Sequence, residues 1–139
     1  MQSPVIEQLS EEAITRLVNE FYARIRRDDV LAPIFAHAIP GDWEPHLQIM
    51  RNFWSSVMLT SGRYKGNPVA KHKRLEGVEL DMFKRWLALF DETCRDMFAP
   101  AIAAEFKVKA ERIAESLKLA MFYRPDRPWP PQDALKGMT

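Results

Sequence analysis

Cysteine occurs once in these 139 residues, at Cys94, which excludes an intramolecular disulfide and any C-x-x-C metal or redox motif. That usage fits a reducing interior, and a cytoplasmic protein is expected. Long apolar runs are missing too. No stretch approaches the roughly 18 residues of a membrane span, and residues 1–10 carry Glu7 without an extended apolar segment, so neither membrane insertion nor secretion is expected. Charge of one sign is not in surplus: 20 Lys and Arg face 19 Asp and Glu, leaving no global field to draw nucleic acid or an anionic surface. Partner choice must come from a local site. Histidine is scarce, with only three in the chain, and strand-like alternation and internal repeats are absent.

What remains is helical patterning in a chain of single-domain size. Ser10 followed by Glu11 and Glu12 reads as a capped helix start, and Ile14, Leu17, Val18, Phe21, Tyr22 and Ile25 then fall on one face. Arg24, Arg26, Arg27 and Asp28 are expected to turn to water. Pro33 interrupts the periodicity, and Leu31, Ile34 and Phe35 form a short apolar knot before the Pro40-Gly41 turn. Asp42 is placed to cap a helix over about residues 43–60. Asn67 and Pro68 open a short helix ending near Gly77. A strongly amphipathic helix is predicted over about 81–98, with Phe83, Trp86, Leu87, Phe90, Cys94 and Met97 on its apolar face. Pro100 begins a last helix that turns Ile102, Phe106, Ile113, Leu117, Ala120 and Met121 inward until Pro125. Four prolines around Trp129 predict an extended, weakly ordered tail over 125–139.

His46 shares an apolar helical stripe with Met50, Phe53, Trp54 and Val57, so it is either a buried, hydrogen-bonded imidazole or a ligand contact. His72, flanked by Lys71, Lys73 and Arg74, is either part of a solvated basic face or functional. Tyr22 and Trp86 look like core, although a buried phenol or indole needs a hydrogen-bond partner. Zinc does not fit, because His46, His72 and Cys94 lack the close ligand pairing that its sites use. Two histidines on separate helices could instead hold a flat cofactor such as haem between them.

Five blocks make the chain recognisable: FYARIR at 21–26, PIF at 33–35, His46 with six residues between it and Phe53-Trp54, Lys71-His72, and WLALF at 86–90. In this order and spacing they resemble a group III truncated haemoglobin over residues 1–124, with the tail outside the likeness. None of the five glycines is paired, which agrees with that group. The resemblance implies an all-α, shortened globin fold with helices stacked two over two around haem and the first globin helix nearly lost. By position, His72 matches the proximal iron ligand and His46 the distal histidine. Tyr22 and Trp86 match the two aromatic donors aimed at bound ligand, Phe35 the phenylalanine against the porphyrin, and Met50 and Trp54 the distal wall. Lys71, Arg74, Arg63 and Tyr64 are candidates for the haem propionates by charge, donor capacity and nearness to the proximal segment.

The resemblance further implies haem b held without covalent attachment, and reversible binding of oxygen, CO and NO. Donors facing the outer atom of bound oxygen slow its release, which suits scavenging, sensing or oxidation of nitric oxide better than bulk delivery. No flavin or nicotinamide fingerprint is present, so redox turnover would need a separate reductase. A monomer is expected, with no nucleic-acid or membrane partner. The rival is a cofactor-free helical interaction domain in which His46, Tyr22 and Trp86 are ordinary core and the Pro-rich tail does the recognising.

Overall fold

The computed structural model describes residues 5–66 and 79–122. Over these it is helical: α1 (Glu11–Arg27), α2 (Leu31–Ala38), α3 (Glu44–Leu59), α4 (Leu80–Met97) and α5 (Pro100–Phe122). The short helix expected over 68–77 and the tail over 125–139 lie outside the described residues.

α1 starts where expected, with the Ser10 hydroxyl accepting from Ala13 N at 3.1 Å. Its face of Ile14, Leu17, Val18, Phe21, Tyr22 and Ile25 is buried and forms the centre of the core with Phe90, Phe98 and Phe106. α1 packs against both α3 and α4, and α4 packs against α5, giving two helix pairs laid over one another. Before α1, Ile6 donates to the Met97 carbonyl at 2.8 Å and accepts from Ala99 N at 2.9 Å, tying the N-terminal segment to the α4–α5 corner.

Two expectations fail at the end of α1. Asp28 does not face water: it is 6% exposed and its carboxylate meets Arg85 of α4. Arg24 is also partly drawn in, pairing with Glu20 at 3.0 Å and Asp96 at 2.9 Å, while Arg26 and Arg27 are exposed. The apolar knot after Asp28 proves to be a helix. Asp28 has extended backbone angles, its carbonyl accepts from Ala32 N at 2.9 Å and its Oδ2 accepts from Leu31 N at 3.2 Å. These contacts close the turn that leads into α2, whose own N-cap is Val30, and Pro33 falls in the first turn of α2, where its missing N–H costs nothing.

At α3 the N-cap is Trp43 rather than Asp42; Asp42, one residue ahead of the cap, accepts at Oδ1 from Glu44 N at 3.1 Å. Thr60 and Gly62, both at positive φ, end that helix and reverse the chain. Tyr64 N then donates to Ser56 Oγ at 2.8 Å, and Ser61 Oγ lies 2.7 Å from Ser55 Oγ, whose hydroxyl donates to Glu11. The segment after α3 is thereby folded back along it.

Candidate functional site

Tyr22 is placed by the buried face of α1 and His46 by the first turns of α3. The phenolic oxygen of Tyr22 lies 3.3 Å from His46 Nε2, with the rings edge to face at 5.3 Å. Phe35, at 6.0 Å, and Trp43, at 6.2 Å, close two more sides of the phenol ring. Burial pushes the Tyr22 hydroxyl well above the usual phenol range, so it keeps its proton throughout the physiological range. The imidazole tautomer decides whether the phenol donates to Nε2 or accepts from it.

Trp86, partly buried on α4, meets the edge of Phe21 at 5.6 Å and stacks on Phe90 at 5.4 Å with nearly parallel planes. Phe90 stacks in turn on Trp54 at 4.9 Å. A three-ring stack therefore fixes the plane of the Trp86 indole, leaving little freedom in where its N–H can point.

These residues open onto a cavity of about 320 Å³. α2 and α3 supply one wall, with Phe35, His46, Met50, Phe53 and Trp54; α4 and α5 supply the other, with Met82, Phe83, Trp86, Ile113 and Leu117. Apart from Tyr22, His46, Trp54, Tyr64 and Trp86, every lining side chain among the described residues is hydrocarbon or thioether. Such a lining fits a flat, mostly apolar cofactor whose polar needs are concentrated in a few places. Those hydrogen-bonding groups come from α1, α3, α4 and the segment after α3.

The sequence-derived candidates divide clearly. Tyr22, Phe35, His46, Met50, Trp54, Tyr64 and Trp86 line this one cavity. Tyr64 packs edge-on against Phe53 at 5.2 Å, and a Cβ at residue 66 would stand 2.6 Å from its hydroxyl, so Gly66 leaves that ring its room. Burial raises the Tyr64 phenol pKa above its usual value. Arg63 does not reach the cavity; its guanidinium pairs with Glu11 at 3.5 Å on the surface. His72, Lys71 and Arg74 lie outside the described residues. Sequence reasoning placed Phe83, Ile113, Leu117 and Met121 in the core, and they do pack together in a small apolar cluster, but all four also line the cavity. The four-residue spacing of Ile113, Leu117 and Met121 was a usable signal for one continuous lining stripe.

No family model matches the chain. A group 3 truncated haemoglobin of Campylobacter jejuni is 30% identical over 119 residues, a span of 84% of this chain and 94% of the relative. The crystal structure of a group III truncated haemoglobin from the same organism superposes with a TM-score of 0.79, again at 30% identity, over 92% of this chain and all of the other. The fold is thus a globin of the two-over-two type. The chain belongs to the group III truncated haemoglobin family, and that membership implies a haem cofactor, which the apolar cavity fits.

Proposed function

We propose that this protein binds oxygen, CO and NO reversibly at a haem b held without covalent attachment. The observation that carries the reading is the placement of Tyr22, His46 and Trp86 around one predominantly apolar cavity. Haem, when bound, supplies an iron that takes diatomic gases and can exchange electrons. The chain supplies the rest. His72 is the proximal ligand in this reading. Phe35, Met50 and Trp54 exclude water from the distal side, and Tyr64, Lys71 and Arg74 are the propionate candidates. Arg63 is the weakest of that group, because Glu11 already engages it.

Tyr22 stays protonated and can donate from a ring fixed on several sides. Trp86 donates from an indole held by stacking. A hydrogen bond to a charged acceptor contributes about 1.5–3 kcal/mol, so each donor slows release of a polarised ligand by about ten- to a hundredfold. Tight retention of this kind suits scavenging, sensing or oxidation of nitric oxide to nitrate, the last with electrons from a separate reductase. The protein acts as a cytoplasmic monomer in this reading. Among the described residues no helix is long and apolar enough to cross a membrane.

Absorbance of the purified chain before and after addition of haemin tests the proposal. An intense band near the blue end of the spectrum, saturating at one haemin per chain, is the expected result. A colourless protein that refuses haemin would overturn it in favour of a cofactor-free interaction domain.

A further inference from the structure

Asp28 is the one acidic side chain with almost no solvent contact, at 2% side-chain exposure, in the ion pairs of this protein's described residues. A buried carboxylate is costly unless its oxygens are satisfied. Here Oδ2 accepts from Leu31 N at 3.2 Å, while Arg85 reaches both oxygens through Nε, at 2.8 and 3.2 Å, and Oδ1 through Nη2 at 2.6 Å. The Arg85 side chain is half exposed, so it covers the carboxylate from the solvent side.

The three elements joined in this way, α1, α2 and α4, each contribute side chains to the cavity. Asp28 ends α1, six residues beyond Tyr22. Its carboxylate accepts from the backbone N–H of Leu31, the first residue of α2, an eight-residue helix too short to hold itself, which carries Phe35. Arg85 immediately precedes Trp86 on α4. A charge-assisted, forked contact has a narrow geometry, so it sets the separation of its two helices as well as their attraction.

We propose that Asp28 and Arg85 are positioning residues for the ligand-facing side of the cavity, holding the α2 wall against the turn of α4 that carries Trp86. The proposal rests on the haem-pocket reading above. Neither side chain touches the ligand; both act through Phe35 and Trp86.

Asp28→Asn keeps an oxygen to cap Leu31 N–H but loses the charge, and Arg85→Gln loses the same contact from the other side. In the haem-loaded protein each speeds oxygen release by about three- to tenfold, the range of coupling through packed elements. Each also shifts or splits the C–O stretching band of the CO complex. The double variant behaves like either single one, because the two groups act as a unit. The indole N–H resonance of Trp86, assigned with Trp86→Phe on the chain as purified, moves in both variants whether or not haemin is taken up. Lower melting temperatures with unchanged oxygen release, C–O band and Trp86 resonance would overturn the proposal and leave the pair a structural clamp only. A wild-type chain that refuses haemin would defeat the haem-pocket reading instead, and the Trp86 resonance would still decide the positioning claim.

Discussion

The hydroxyl of Tyr22 and Nε2 of His46, from α1 and α3, face one another at 3.3 Å inside a single apolar cavity. The contact gives the phenol a partner when no ligand is present, and it gives the imidazole a reason to remain in the pocket. In the proposed haem pocket, a diatomic ligand is expected to compete for the same proton, and oxygen, polarised on binding, to do so more strongly than CO.

Trp86 and Tyr22 address the same space from different helices. Trp86→Phe and Tyr22→Phe keep aromatic bulk and delete one donor each, so each speeds oxygen release by about tenfold or more. Their effects are expected to be non-additive, since both act on one ligand. CO release measured in parallel changes little; an equal rise for CO would point to altered access rather than lost hydrogen bonds.

His72→Ala removes the expected proximal anchor and leaves the distal residues as they are. Haem affinity falls and the ferrous spectrum changes. Haem transfer to a competing apoprotein measures this, and unchanged transfer would mean that His72 is not the ligand.

Acid acts on the Asp28–Arg85 pair with a definite sign. The hydrogen bonds from Arg85, with further help from the Leu31 N–H, hold the Asp28 carboxyl below its ordinary value of 3.8. Folding favours the ionised form, so the pair's stabilisation is full above that ordinary value and is lost as pH falls through the lower folded value. Denaturant unfolding of wild type and Asp28→Asn is therefore expected to differ by about 1–2 kcal/mol at pH 7. The difference shrinks below about pH 4; a gap that widened in acid would contradict the assignment.

Residues 125–139 are expected to be dispensable, because Pro-rich segments bury little surface. A chain ending at Pro125 should match the full protein in haem content and oxygen kinetics. Loss of haem on truncation would give Trp129 or its neighbours a part in closing the pocket.

The long helices were legible because each carries a stripe wide enough to declare its period, as α1 does from Ile14 to Ile25. α2 was not, because its start depends on a carboxylate that looks like surface charge beside Arg26 and Arg27, and whose partner lies 57 positions away. Within the pocket, patterning alone distinguished neither Tyr22 nor Trp86 from core; only the likeness to a family separated them. Arg63 was a candidate by charge, and a contact from the far end of α1 engages it instead. Leu117 and Met121 read as core because a cavity wall and a core have the same apolar code.

Stopped-flow oxygen dissociation from the haem-loaded wild type, Tyr22→Phe and His46→Leu tests the division of labour in this pocket most directly. Tyr22→Phe is expected to release oxygen fastest of the three, with His46→Leu changing mainly the association rate. Fastest release from His46→Leu, with Tyr22→Phe at the wild-type rate, would make His46 the principal donor and contradict the account.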